Sequence, residues 1–269
     1  MTAMPTITDK SDPAVQRILD ITKPSRGNIK TTLIEDIEPI SHCLRAGLDF
    51  VEIYATEKNP LPDDIVAVAE SRGIPIRTMD SAIVNHVFKV EKKPKVFGIA
   101  RVPRPCGFAD TEKKPGDLVV LDGVKIVGNI GAIIRTSYAL GVSGIVLVDS
   151  DLTSIADRRL IRASRGYVFS LPIVLADRAA ATKYLSDNGV PMVVFDAGGA
   201  ITLGELERRD ERLALLFGSE KTGPSSDFQG VRKISVSIPM SEAAESLNVS
   251  VAAGIALYQR SGRGLEATR

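Results

Sequence analysis

Residues 117–149 read DLVVLDGVKIVGNIGAIIRTSYALGVSGIVLVD. Two apolar runs of strand length, LVVL at 118–121 and IVLV at 145–148, bracket a segment with helical spacing over 129–141. A strand apolar at every position must be covered on both faces, which is the condition of a parallel sheet between helices. The alternation continues to the C-terminus. SIADRRLIRAS (154–164), RAAATKYLSDNG (178–189) and SLNVSVAAGIALYQR (246–260) read as helices, and LPIVLA (171–176), PMVVFDA (191–197), RLALLFG (212–218) and KISVSIPM (233–240) as strands. The pattern predicts an α/β domain with a mostly parallel sheet, and periodicity alone would draw it as an ordinary doubly wound one.

Upstream, helical EPISHCLRAG (38–47) and DDIVAVAESRG (63–73) alternate with strand-like DFVEIYA (49–55) and IPIRTMD (74–80), a small α/β unit of its own. Between the two regions, VPRPCGFADTEKKPG (102–116) gathers three prolines, two glycines and several charges, which reads as a linker. The expected organisation is therefore a domain over 1–107, a linker over 108–116 and a second domain over 117–269. With 269 residues, 44% hydrophobic and 25% charged, each domain can bury a core, and no apolar run approaches the roughly 18 residues of a membrane span. The start, MTAMPTITDKSDP, has no targeting pattern, so a cytoplasmic protein without a membrane anchor is expected. Two cysteines, Cys43 and Cys106, and two histidines, His42 and His86, offer neither a metal cluster nor a disulfide framework.

The net charge of +1 argues against a wholly basic nucleic-acid binder, but local charge is uneven. Residues 81–104 hold six basic residues, Lys89, Lys92, Lys93, Lys95, Arg101 and Arg104, against one acid, and 17–30 hold four, including Arg26 and Lys30, against one. Arg158, Arg159, Arg162 and Arg165 form a third cluster against Asp157. Each could be a solvated face; three in a neutral chain point to a phosphate-binding surface. With few aromatics among them, a folded RNA read by shape suits the pattern better than stacked single strands.

The run GVKIVGNIG (123–131) sits where nucleotide-binding loops lie, yet Gly128 is followed by Asn129 and Ile130 and not by the Lys and Ser or Thr of a P-loop. Its glycines at 123, 128 and 131 also miss the dinucleotide spacing, leaving a nicotinamide enzyme using Asp149 as a weaker alternative. Two histidines leave little scope for a hydrolytic triad. Three other segments follow strands in order: NIGAIIR, with Gly131 and Arg135 on one helical face; LLFGSEKTGPS, with Gly218, Ser219 and Glu220 leaving a strand; and IPM, followed by SLNVS opening the last helix.

N-x-G-x-x-x-R, F-G-S-E-x-x-G and I-P-M with S-L-N-V-S resemble the motif set of the SpoU (TrmH) branch of the SPOUT methyltransferases, over about residues 117–260. TKPSRGNIKTTLIED, FGIARVPRP and IADRRLIRASRGYVFSLP extend the likeness to the thiostrepton and nosiheptide resistance methyltransferases of actinomycetes. The resemblance implies S-adenosylmethionine as cofactor and 2′-O-methylation of an adenosine ribose in the GTPase-associated centre of large-subunit rRNA, giving thiopeptide resistance. It also implies an N-terminal ribosomal-protein-like RNA-recognition domain, a trefoil knot in the C-terminal domain, and a homodimer. Carried over by motif, Phe195, Gly218, Ser219, Ile238, Met240 and Leu247 would hold the cofactor, with Arg165 toward its carboxylate or the RNA. Arg135, Asn129, Glu220, Ser246 and Asn248 would form the catalytic set, and Arg26, Lys30, Lys89, Lys92, Arg101 and Arg162 would bind RNA. A guanidinium keeps its proton up to a pKa above about 12, so Arg135 suits a phosphate and oxyanion clamp better than a base. A non-catalytic rRNA-binding or assembly protein is the alternative, since the basic clusters would serve it equally.

Overall fold

The structure is a computed structural model that describes residues 6–22, 30–89, 93–196, 198–219, 227–241 and 246–261. It forms two compact units, one of residues 1–104 with 156–170, the other of 105–155 with 171–269.

The first unit runs α1 (Pro13–Thr22), β1 (Thr31–Glu35), α2 (Ile37–Arg45), β2 (Phe50–Thr56), α3 (Asp63–Ser71), β3 (Ile76–Met79), α4 (Ser81–Val87) and β4 (Phe97–Arg101). Its four-stranded sheet has the order β1-β4-β2-β3; β4 is antiparallel to both β1 and β2, while β2 and β3 are parallel. Ile18, Leu33, Tyr54, Phe88 and Phe97 form its core, with Tyr54 stacked on Phe97 at 5.0 Å. Strand β4 lies inside the stretch 81–104 that the sequence reading treated only as charged, and β1 follows the one at 17–30; neither was read as a strand, and their apolar residues, Leu33, Ile34, Phe97 and Ile99, are fully buried.

The second unit begins with a 3₁₀ turn, Phe108–Glu112, inside the segment expected to be a linker. It is packed, not a tether. Phe108 stacks on Tyr184 at 4.4 Å, Gly107 N donates to Asp110 Oδ2 at 3.0 Å, and Arg212 Nη2 donates to the Thr111 carbonyl at 2.8 Å. Prolines and charges gave this stretch its loop-like composition, but an aromatic and a buried threonine anchor it, so the compact unit starts at Pro105. Then follow β5 (Leu118–Asp122), α5 (Val127–Ala139) and β6 (Gly144–Val148).

Between β6 and β7 (Ile173–Ala176) the chain returns to the first unit for α6 (Arg158–Ala163) and a 3₁₀ turn at Tyr167–Phe169. Thr32 Oγ1 donates to Ala156 O at 3.1 Å, Arg158 pairs with buried Glu35, and Arg165 Nη1 clamps both oxygens of Glu38 at 3.0 and 2.9 Å. Gly166, at φ +84°, passes so close to Pro39 that a Cβ would lie 2.9 Å from its carbonyl oxygen. A division at 108–116 alone therefore misses that residues 156–170 complete the first unit.

The remainder is α7 (Arg178–Asp187), β8 (Met192–Phe195), β9 (Ile201–Thr202), α8 (Leu203–Glu207), β10 (Ala214–Gly218), β11 (Lys233–Ser237) and α9 (Val249–Ser261). All seven strands are parallel, in the order β7-β6-β5-β10-β8-β11-β9. Leu118 and Val120 face Ala181, Tyr184 and Leu185 of α7, while α9 packs beside α5. Among the described residues no helix is long and apolar enough to cross a membrane.

Candidate active site

In a parallel sheet all strands end at one edge, and the loops leaving that edge are the usual place for a ligand. Here β10, β8 and β11 are neighbours, so the chain beyond Gly218, Phe195 and Ser237 emerges side by side. Phe195 is half-buried and stacks on buried Phe217 at 5.0 Å with the rings 9° apart, which leaves an aromatic face at the edge. Ile238 is half-buried and Met240 exposed just past β11. The loop after β8 is drawn onto β11: a Cβ on Gly199 would lie 2.3 Å from Ser237 N, so only glycine fits. The sequence reading missed Gly199; its signal was the Gly198-Gly199 pair after a predicted strand.

Beside these loops, α5 buries Ile130, Gly131, Ile133, Ile134 and Ser137, which leaves Asn129 half-buried and Arg135 exposed. Arg135 makes no ion pair among the described residues. The last helix brings in the third motif. Asn248 caps α9: its Oδ1 accepts from Ser250 N at 2.9 Å and Ser250 Oγ at 2.6 Å, and its carbonyl takes Ala252 N at 2.9 Å. Its remaining amide donor, Nδ2, meets Asn129 Oδ1 at 3.3 Å. Two residues 119 apart in sequence are thus joined, and Ser246 (exposed) and Leu247 (half-buried) lie immediately before the cap.

The far end of α9 is fixed as firmly. Arg260 Nε and Nη2 donate to Asp117 Oδ2 and Oδ1 at 2.7 and 3.0 Å, and Nη1 donates to the carbonyls of Leu206 and Arg209 at 2.9 and 2.7 Å. This pair lines a cleft of about 620 Å³ at the opposite edge of the sheet, where Asp117 precedes β5 and Arg212 precedes β10. That cleft holds none of the motif residues, and within it Arg260 pairs with Asp117 and Arg209 with Glu211.

Other expected residues are placed differently. Arg165, expected toward the cofactor, belongs to the first unit, where it is held on Glu38 at φ +50°, while the other cofactor candidates belong to the second. The expected RNA-binding residues occupy two ends of the first unit's sheet. Exposed Lys30 and Arg101 meet where Thr31 pairs with Arg101, and Arg101 is engaged by Asp49 at 2.6 Å. Arg162 approaches Glu35 at 4.0 Å, at the opposite end, where Glu35 pairs with Phe97. Lys89 is exposed just beyond α4. Glu220, Arg26 and Lys92 lie outside the described residues. Among the described residues no group of three or more His, Cys, Asp or Glu side chains could hold a metal ion.

One edge of the parallel sheet thus collects three loop ends beside an exposed arginine and a paired asparagine, a place for a ligand in an α/β enzyme. Residues 117–258 match the SpoU rRNA methylase family and residues 4–114 match the thiostrepton-resistance methylase N terminus. The chain belongs to the SpoU rRNA methylase family. It is 61% identical to a 23S rRNA (adenosine(1067)-2′-O)-methyltransferase of Streptomyces laurentii and 59% identical to one of Streptomyces azureus, each over 100% of both chains. In fold it resembles an AdoMet-bound rRNA methyltransferase from Sinorhizobium meliloti, with a TM-score of 0.76, 24% identity, and coverage of 95% of this chain and 97% of that one.

Proposed function

We propose that this chain methylates the 2′-hydroxyl of an adenosine ribose in 23S rRNA, at the GTPase-associated centre, with S-adenosylmethionine as donor, and so protects the ribosome from thiopeptides. The observation that carries the reading is the Asn129–Asn248 contact at 3.3 Å, which unites the first and third motifs beside the loop ends after β8, β10 and β11. Full-length likeness to two 23S rRNA adenosine 2′-O-methyltransferases supports the substrate.

The loop ends suit the cofactor. Phe195 offers a ring face, Gly218 leaves the backbone bare of a side chain, Gly199 keeps the adjoining loop close, and Ile238, Met240 and Leu247 supply apolar walls. When bound, S-adenosylmethionine supplies an electrophilic methyl group. The protein's own residues supply alignment and charge. Arg135 grips the phosphate next to the target ribose and stabilises the negative charge that develops on the 2′-oxygen. Asn129, fixed by Asn248, orients the ribose, and Ser246 and Glu220 are assigned to the same task by their motifs alone. The reactive edge belongs to the second unit and these basic residues, Arg162 included, to the first, so the first unit, through Lys30, Lys89, Arg101 and Arg162 with Arg26 and Lys92, serves as the RNA reader.

A second copy of the chain covers the exposed apolar row Val251, Ile255 and Tyr258 on α9, together with Tyr138 on α5. The C-terminal chain is threaded as a trefoil knot. Supporting this, β10 enters the sheet between β5 and β8 and the chain then returns to α5. The protein acts in the cytoplasm, where its substrate is. The test is transfer of label from S-adenosylmethionine to a transcript of the GTPase-associated centre, with 2′-O-methyl mapping of the product; absence of a mapped adenosine methyl group overturns the reading.

A further inference from the structure

Asp122 ends β5 with its side chain only 2% exposed, and its ladder neighbours are Gly218 on β10 and Val148 on β6. It therefore sits where the first and second motif loops leave the sheet. A charge so placed needs a partner, and Arg178, at the first turn of α7, donates from Nη2 to Asp122 Oδ1 at 2.8 Å. The same Nη2 donates to Asp149 Oδ2, at the end of β6, where Asp149 is held at φ +50°. Nη1 of Arg178 lies 4.0 Å from Asp227 Oδ2, where the described chain resumes after Ser219. One guanidinium thus joins the exits of β5 and β6 to the far side of the second motif segment. At their tips the two loops are tied again, by Lys125 Nζ and Asp151 Oδ1 at 3.0 Å.

Asp122 points with Leu118 and Val120 toward α7, away from α5, so neither it nor Arg178 belongs to the face that carries Arg135. Their influence runs through the backbone. Gly123 N donates to Val148 O at 2.9 Å, and an ideal Cβ on Gly123 would lie 3.8 Å from Ser219 Cβ, so a shift at Asp122 moves both the entry to α5 and the first residue past β10. The Asp122 hydrogen bond also makes Arg178 hold its proton more firmly than an ordinary guanidinium, so the clamp stays charged at every working pH.

We propose that Arg178 is a positioning residue for methyl transfer, setting the loop after β5 against the end of β10 at Gly218 and Ser219 without touching substrate or cofactor. This rests on the assignment of Asn129 and Arg135 to the transfer step. The experiment compares wild type, Arg178→Ala, Arg178→Lys and the charge-free pair Asp122→Asn with Arg178→Gln, each confirmed folded by circular dichroism at the assay temperature. The readouts are kcat and KM on a transcript of the GTPase-associated centre, with Arg135→Ala as reference. Expected for Arg178→Ala is a kcat lowered at least tenfold with KM for RNA within threefold of wild type, and partial recovery in Arg178→Lys. A merely structural arginine would lower the melting temperature and leave kcat of the folded enzyme alone. If Arg178→Ala does not fold, the charge-free pair, which strands no buried carboxylate, carries the same expectation. A folded variant with kcat within twofold of wild type overturns the inference. If Arg135→Ala is also active, the assignment of the site has failed; if it is inactive while Arg178→Ala is normal, only the positioning role has.

Discussion

Replacing Arg260 by Met should destabilise the second unit by about 3 kcal/mol and weaken the hold on Asn248 at the other end of the same helix. The pair with Asp117 is almost fully enclosed, with side chains 9% and 12% exposed. Arg260 also serves the carbonyls of Leu206, Arg209 and Glu211, so its loss strands one carboxylate and three backbone acceptors. Removing one partner of a buried pair costs about 3–5 kcal/mol. The low end applies here because Asp117 Oδ1 keeps the Leu213 N–H at 2.9 Å. At roughly 2–4 °C per kcal/mol for a unit of this size, the melting temperature should fall by about 6–12 °C. The chain has no tryptophan, so far-ultraviolet circular dichroism in urea is the suitable probe. Changing Asp117 to Asn in the same chain should return part of the loss, since the stranded charge is then gone. A loss below about 1 kcal/mol for Arg260→Met would refute the reasoning, because it would mean the pair behaves as an exposed one.

Arg135→Ala is expected to abolish methyl transfer while S-adenosylmethionine affinity stays within a few fold by calorimetry, its side chain being exposed and assigned to RNA; near-normal turnover counts against that role. Gly199→Ala must push the loop after β8 off β11, given a Cβ 2.3 Å from Ser237 N, so cofactor affinity should drop at least tenfold in a chain that still melts cooperatively. Burial pushes the Cys43 thiol up to about 12, so in the native protein a thiol reagent at pH 8 should label Cys106 and reach Cys43 only after unfolding. Between the unfolded thiol's pKa of about 9 and the folded value, the native state binds the extra proton, so this group's contribution falls by about 1.4 kcal/mol per pH unit as pH rises. Cys43→Ala should flatten that alkaline decline, which denaturation at pH 9 and pH 10 would show.

How legible the site was depended on whether a residue's role is local. Arg135 and Gly131 share a helical face by spacing alone, and Gly218 could be placed at a strand end because LALLF before it is continuously apolar. The proposed RNA surface was less legible: a count of charges cannot reveal that Arg158 and Arg165 are engaged by Glu35 and Glu38, or that Lys30 and Arg162 lie at opposite ends of one sheet. The packing of the segment read as a linker was hidden for a related reason. Composition reports proline and charge, but not that Phe108 finds Tyr184, 76 residues on, as a stacking partner.

The sequence by itself determined the α/β class, six of the seven strands of the parallel sheet and the order of the three motifs, because apolar runs and helical spacing are short-range consequences of which faces must be covered; the two-residue β9 is too short to leave such a run. Tertiary structure alone decided the rest: that β10 lies between β5 and β8, that residues 156–170 complete the first unit, and that Asn129 meets Asn248. These are long-range pairings, each fixed by which buried surfaces and polar groups fit one another once the whole chain is folded, and no local pattern encodes that choice.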